Sequence, residues 1–182
     1  MPIDVNARHG LDDAPSGLVI VQELLNTTAP KPWEDTVDLL GRAEDAAEWL
    51  GREVSEAELA ELREFRDSLR QLLHGDAHPP LRGSVRITVD EAGQASASAL
   101  SGAGPAEELR GRVLNQILVA QARGDWTRLK LCAFEACDLA FFDLSRNRSG
   151  RWCSARCANR INLPKSRERR RVTGVVSGPE AC

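Results

Sequence analysis

The sequence predicts an α+β fold in which a mostly helical N-terminal domain with one β-hairpin precedes a small module that contains most of the cysteines. Three observations support this prediction. Apolar residues recur at steps of three and four along most of the first 125 residues, which is the period of amphipathic helices. The period changes to two near residues 84–100, which indicates a hairpin. Four of the five cysteines then fall between residues 132 and 157.

The first predicted helix follows a polar stretch, residues 1–15, that we expect to be a flexible leader. Leu18, Val21, Leu24 and Leu25 have helical spacing, and Ser16 is placed to cap the helix. We place the N-terminal domain at residues 16–125.

Two further helices are marked by their ends and their apolar stripes. Ser55 and Glu58 form the pattern of a capping box, and the helix that follows carries apolar residues up to Leu72 and ends near Gly75. A second stripe runs from Leu109 to Ala120 and predicts the last helix of the domain.

Strand patterning separates these two helices. Val85, Ile87 and Val89 alternate with polar residues, and alanines alternate with serines over residues 95–99. The turn residues between the two segments predict a hairpin near residues 84–100.

Composition and charge restrict the class of protein. With 42% hydrophobic and 28% charged residues, the 182-residue chain resembles a soluble globular protein. No apolar run reaches the roughly 18 residues of a membrane span, and no secretory signal is visible, so we expect a cytoplasmic protein with no membrane contact. Residues 1–129 contain 13 Lys and Arg against 22 Asp and Glu, a balance of −9, whereas residues 130–182 contain 11 against 5, a balance of +6. The C-terminal part is therefore the one suited to an anionic partner.

The cysteines form two close pairs, Cys132 with Cys137 and Cys153 with Cys157, separated by 15 residues. This spacing is typical of a structural zinc site, and a reducing compartment disfavours disulfides. We predict one structural Zn²⁺ held by the four thiolates. The segment between the pairs is expected to form a hairpin, with residues 140–144 as one arm and a return at 151–152. A helix over residues 154–161 would complete a treble-clef-like module.

A zinc ion with four cysteine ligands has no open position for water, so we expect no catalysis. His74 and His78 have a spacing that can suit a metal, but the neighbouring glycine and prolines predict a surface loop instead.

The basic residues around and beyond the second cysteine pair have two candidate roles. Those near the metal can offset the charge of −2 on a zinc–tetrathiolate centre, and the remainder are suited to phosphate contact. The candidates for nucleic-acid contact are Arg148, Arg151, Arg156, Asn159, Arg160, Lys165, Arg167, Arg169, Arg170 and Arg171.

Residues 129–171 resemble the CGNR zinc-finger family of bacterial proteins, which are regarded as stress-induced transcription regulators. The cysteine spacing, Phe142-Asp143, Arg151-Trp152 and Asn159-Arg160 carry the resemblance. The N-terminal part more loosely resembles the accompanying ABATE domain. Ala158 stands where the family signature has glycine, which helical backbone tolerates but a positive φ does not. The resemblance places Asn159 and Arg160 on the helix after the last ligand, where Asn159 either reads a base or braces the zinc knuckle.

These features predict a DNA-binding transcription regulator whose zinc finger, at residues 129–171 with its basic tail, docks on DNA. Residues 172–182 are expected to be flexible, and the N-terminal domain is expected to sense or dimerise. Trp33, Trp49 and the pair Asn26-Thr27 could line a pocket for a small-molecule ligand, although packing also explains the tryptophans. The alternative is a protein-interaction module in which the finger is structural and the basic tail meets an acidic partner, including another copy's N-terminal domain.

Overall fold

A computed structural model describes residues 3–28, 37–100 and 102–161. The α+β prediction is confirmed. The helices and strands, in chain order, are α1 (Leu18–Asn26), α2 (Ala43–Leu50), α3 (Glu56–His74), β1 (Val85–Val89), β2 (Ala95–Ala99), α4 (Pro105–Arg123), β3 (Leu129–Leu131), β4 (Ala140–Phe142) and α5 (155–161), with 3₁₀ turns at Ala7–His9 and Trp126–Arg128. Within the described ranges, none of the helices combines the length and apolar character needed to cross a bilayer.

The start of α3 is the predicted capping box. The Ser55 hydroxyl accepts a hydrogen bond from the Glu58 amide (3.3 Å), and the Ser55 amide donates to the Glu58 carboxylate (3.0 Å). That backbone hydrogen bond is the main reason why the pKa of Glu58 lies below its usual value. The helix ends at Gly75, whose φ of 81° is readily adopted only by glycine.

The start of α1 differs from the prediction. Gly17, not Ser16, is the N-cap residue, and no side chain caps the helix. Ser16 has a left-handed backbone with a φ of 56°, so it forms the turn that precedes the helix. Gly17 is packed against the end of the Gln116 side chain of α4, which would have to move to admit a Cβ at this position.

The described part of the expected leader packs against the domain. Val5 and Asn6 are fully buried, and His9 at the end of the first 3₁₀ turn is also buried. The Asn6 side chain donates to the Asp13 carboxylate (2.8 Å), which ties the segment to itself. Specific polar partners thus hold a stretch whose composition alone suggested a flexible leader.

The hairpin predicted near residues 84–100 is present as an antiparallel pair. Val85 lies opposite Ala99 and Val89 opposite Ala95. The turn contains Gly93 with a φ of 77°, which suits the left-handed position of a short hairpin loop.

The strand pairing near the cysteines differs from the prediction. β4 pairs antiparallel with β3, with Leu129 opposite Phe142 and Leu131 opposite Ala140, and the first cysteine pair lies in the connection. Residues 151–152 form no strand; the Arg151 carbonyl instead accepts a hydrogen bond from the Ala133 amide (2.7 Å). The long loop after β4 therefore brings the chain back to the first cysteine pair, and residues 151–152 do not form the predicted return strand beside β4.

One apolar core joins the two parts of the chain. Leucines of α1, α3 and α4 form its centre, and Leu129 of β3 and Ala140 of β4 belong to the same cluster. A smaller cluster surrounds the cysteines and includes the fully buried Leu139 and the half-buried Trp152. Strands β3 and β4 thus belong both to the helical core and to the cysteine module.

Candidate metal centre and its cationic surface

The first cysteine pair lies in a tight knuckle between β3 and β4. The Cys132 amide donates to the Leu139 carbonyl (2.9 Å), and the Cys137 amide donates to the Phe134 carbonyl (2.7 Å). Asp138, directly after the second cysteine, has a φ of 48°, so the chain reverses there and enters β4. These two backbone hydrogen bonds and the reversal at Asp138 direct the thiols of Cys132 and Cys137 to the same side of the knuckle.

The second pair lies at the start of α5. Ser154 precedes the helix, and its hydroxyl accepts a hydrogen bond from the Cys157 amide (3.4 Å), as expected of an N-cap residue. The Cys153 amide donates to the sulfur of Cys132 (3.5 Å), which connects the two pairs directly. The predicted helix that carries Cys157 is therefore present.

The four sulfur atoms have the spacing of a tetrahedral zinc centre. All lie within 4.8 Å of one another, and the distances from Cys153 Sγ to Cys137 Sγ and to Cys157 Sγ are 3.6 and 3.7 Å. A Zn–S bond of about 2.3 Å implies tetrahedral S···S separations of about 3.8 Å. A disulfide would require about 2.05 Å, and the four cysteines are unpaired thiols. The cluster fits a single structural zinc ion.

Electrostatics also favour a cation in the cluster. Hydrogen bonds from neighbouring thiols lower the pKa of Cys132 to about 2, whereas contact with Cys132 raises the pKa of Cys137 far above its usual value and that of Cys153 to about 12. The ionisation of one thiol therefore opposes the ionisation of its neighbours. A dication among the sulfurs removes this opposition and allows all four to bind as thiolates.

A buried ion pair shapes the loop between β4 and the second cysteine pair. The Asp143 carboxylate, only 3% exposed, accepts hydrogen bonds from Lys130 Nζ (2.7 Å) and from the amides of Ser145 (2.9 Å) and Gly150 (2.8 Å). Burial opposes ionisation of Asp143, but these hydrogen bonds outweigh it and lower its pKa. Lys130 also donates to the carbonyl oxygens of Arg148 and Gly150. The pair therefore fixes the course of residues 145–150.

The role of this ion pair was not foreseen in the sequence. A signal was available, because an Asp two residues before a Ser in a polar loop favours an Asx turn. Gly150 is required by the same carboxylate: a Cβ at this position would lie 2.6 Å from Asp143 Oδ1.

The loop and α5 carry exposed arginines next to the cysteine cluster. Residues 144–161 contain five arginines and no acidic residue, so this segment keeps a formal charge of +3 after the −2 of a zinc–tetrathiolate centre is included. Asn159 is exposed, and so are all five arginines: Arg146, Arg148, Arg151, Arg156 and Arg160. The guanidinium of Arg151 lies 5.5 Å from the centre of the Trp152 ring, which fixes its direction through a cation–π contact.

The remaining predicted contact residues, Lys165, Arg167, Arg169, Arg170 and Arg171, lie outside the described residues. Ala158 lies within α5, and its amide donates to the Ser154 carbonyl (3.1 Å). Because this backbone is helical, it does not require the glycine of the family signature.

Polar side chains of the helical domain hold the cysteine knuckle. The Asn26 amide group donates to the Ala140 carbonyl (2.9 Å), and its oxygen accepts from the Ala140 amide (2.8 Å), so the side chain acts as a further strand beside β4. On the other side of the knuckle, Arg70 and His74 of α3 contact the Asp138 carboxylate at 2.7 and 3.0 Å. We call the Asn26–Ala140 pair and the Arg70–Asp138 and His74–Asp138 contacts the latch.

The latch accounts for side chains that the sequence suggested for other roles. His74 is the last residue of α3 and belongs to the latch, whereas His78 contacts the Pro79 carbonyl (2.8 Å). Asn26 and Thr27 are fully buried and hydrogen-bonded within the protein, and a ligand pocket beside them stays a prediction. Trp49 is buried in the core, and Trp33 lies outside the described residues.

Two family models match this sequence. The ABATE model, described as "Putative stress-induced transcription regulator", matches residues 19–141, and the CGNR zinc finger model matches residues 128–170. A comparison with curated proteins gives no match. The ABATE match extends through β3 and into β4, which agrees with the core shared by these strands and the helices. The chain therefore belongs to the ABATE family and carries a C-terminal CGNR zinc finger.

Proposed function

We propose that this protein is a non-enzymatic, cytoplasmic transcription regulator that binds DNA through its zinc finger. The observation that carries the proposal is the surface of the finger: a metal centre and a buried ion pair position five arginines in a segment without acidic residues. Phosphate contacts supply most of the affinity of proteins for DNA, and such contacts need fixed, exposed cations.

The arginines form two groups that can follow two parts of a duplex. Arg146 and Arg148 lie in the loop that Asp143 organises, and Arg148 donates to the Thr127 hydroxyl (3.2 Å), which keeps it close to β3. Arg156 and Arg160 are four residues apart, so they lie on one face of α5. Asn159 and Arg160 are the candidates for contacts with base edges, because Asn pairs with adenine and Arg with guanine in the major groove. The basic residues beyond 164 would add phosphate contacts.

Binding of duplex DNA at increasing salt concentration tests the proposal. If about four phosphates are neutralised, log K falls against log salt with a slope of about −3.6, and each lost phosphate contact reduces the magnitude of that slope by about 0.9. The variant Arg146→Ala/Arg148→Ala should therefore bind more weakly and with a shallower slope. The matched control, Arg112→Ala/Arg123→Ala on α4, removes the same charge from exposed positions of the helical domain and should leave the slope unchanged.

Salt-independent binding, or no binding to any DNA in a genomic selection, would exclude this function. The protein-interaction alternative would then gain support if alanines at Arg169, Arg170 and Arg171 abolished a protein complex while DNA retention stayed the same.

A further inference from the structure

The β1–β2 hairpin exposes an apolar face. Val85, Ile87 and Val89 share one face of β1, and the side chains of Ile87 and Val89 remain 69% and 65% exposed. The opposite, polar face is satisfied within the hairpin, where the hydroxyls of Thr88 and Ser96 lie 2.9 Å apart. The hairpin packs on α4, but this contact leaves Ile87 and Val89 open, so the apolar residues of β1 are suited to cover by a further strand at its free edge.

The edge of β1 that faces away from β2 is the one available for such a strand. β2 lies beside α4, since Ala97 and Ser98 form a groove with Arg112 and Gln116 of that helix. Within the described ranges, β1 pairs with no strand other than β2. It contains no proline, lysine or bulge, three of the devices that protect edge strands, and Arg86 is its one charged residue.

The hydrogen-bond pattern identifies which residues face this outer edge. The Asp90 amide donates to the Gln94 carbonyl (3.0 Å), which makes residues 90 and 94 a hydrogen-bonded pair. Because such pairs alternate along an antiparallel ladder, residues 86 and 88 also bond to β2. The backbone groups of Val85, Ile87 and Val89 therefore point outward. The residues with the exposed apolar side chains are the same ones that offer backbone donors and acceptors.

We propose that the β1 edge pairs antiparallel with β1 of a second copy of this chain, about a two-fold axis at Ile87, to form a four-stranded sheet. In this register Val85 lies opposite Val89 of the second copy, and Ile87 lies opposite its own equivalent. Arg86, the one charged residue of β1, lies opposite Thr88 rather than opposite the second Arg86. The strand thus places β-branched residues opposite each other and keeps the two arginines apart, as a self-complementary isologous interface requires, and this property favours a second copy over an unrelated strand.

Charge changes at position 88 test both the surface and the register. In the proposed register, Thr88→Glu places a carboxylate opposite Arg86 twice in each dimer, whereas Thr88→Arg places two like charges opposite each other twice. From the usual size of cross-strand charge pairs, we expect the dimer to become about 2- to 30-fold tighter with T88E and weaker by a similar factor with T88R. Addition of Arg86→Glu to T88R should restore association, because the opposite charges then face each other again.

The measurement is sedimentation over a concentration series without DNA, so that the result is independent of the proposed DNA binding. Ser96→Arg is the matched control: it adds the same charge to the polar face of β2, one strand away from the proposed contact, and should leave the dimer constant unchanged. Zinc content and the far-ultraviolet circular dichroism of each variant should equal those of the unmodified protein. A chain that stays monomeric at every concentration overturns the proposal. A dimer that becomes weaker with T88E also overturns it, and so does a dimer whose dissociation constant is the same with T88E, with T88R and without either change.

Discussion

Removal of the Asn26 side chain is the most direct test of the latch. Asn26 makes three side-chain hydrogen bonds in a fully buried site, two with the backbone of Ala140 and one in which its amide group donates to Asn6 Oδ1 (2.9 Å). At about 0.5–1.5 kcal/mol each, their loss in Asn26→Ala lowers the free energy of unfolding by about 1.5–4.5 kcal/mol. Alanine is the better helix former and offsets about 0.5 kcal/mol of this loss.

Urea unfolding followed by circular dichroism measures this free energy, and transfer of zinc to a chelator gives a second readout. Because β4 borders the first cysteine pair, we expect zinc transfer to become faster in Asn26→Ala. Asn115→Ala on α4 is the matched control: it has the same gain in helix propensity without loss of the latch, so its stability should stay equal or rise slightly. An Asn26→Ala protein within about 0.5 kcal/mol of the unmodified chain, the usual range for changes at unimportant surface positions, would refute the role of the latch.

The other predictions concern the finger and, for comparison, one glycine at the start of α1. Cys153→Ala should reduce bound zinc from one per chain, measured by elemental analysis, and unfold the finger because metal binding and folding are coupled; a folded finger without metal would contradict the zinc assignment. Asp143→Asn should lower the free energy of unfolding at neutral pH by about 1.5–3 kcal/mol, since it weakens charge-assisted hydrogen bonds. Folding lowers the pKa of Asp143, so the stabilisation by its carboxylate is fully present above the unfolded pKa of about 3.9 and is lost as the pH falls through the folded pKa. The difference in the free energy of unfolding between the unmodified protein and Asp143→Asn should therefore shrink as the pH is lowered. Gly150→Ala should lower the free energy of unfolding by about 1–3 kcal/mol because its Cβ overlaps the fixed Asp143 carboxylate. Gly17→Ala should have a smaller effect on that free energy because only a flexible glutamine obstructs its Cβ, and equal losses in chemical denaturation would contradict this reasoning.

Local chemistry explains why parts of this fold were predictable from sequence. The capping box at Ser55 depends on residues three apart, the hairpin depends on alternation over a few residues, and the zinc centre depends on cysteine spacing. In each case the residues that make the pattern recognisable in the sequence are the same residues whose contacts form the structure.

The features that sequence reasoning missed depend on contacts between distant residues. Asn26 and Ala140 are separated by 114 positions, and neither residue has a pattern that indicates the other. The partner of β4 was mistaken because its true partner, β3, is only three residues long and precedes the first cysteine pair. The N-terminal stretch was predicted to be flexible because its own sequence does not reveal that Val5 packs with residues of later helices.

The latch also affects how this finger could be exchanged between proteins. A zinc finger on a flexible linker can move between chains as a cassette, since its contacts are internal. Here the finger, from residue 128 onward, would leave two partners behind if it were grafted onto another protein. Asn26 would lose Ala140 and Arg70 would lose Asp138 in the original chain. Ala140 and Asp138 would lack these same partners in the new chain. We therefore expect these positions to be inherited together, and chimaeras that exchange the finger alone to be less stable than chimaeras that carry the matching residues of α1 and α3.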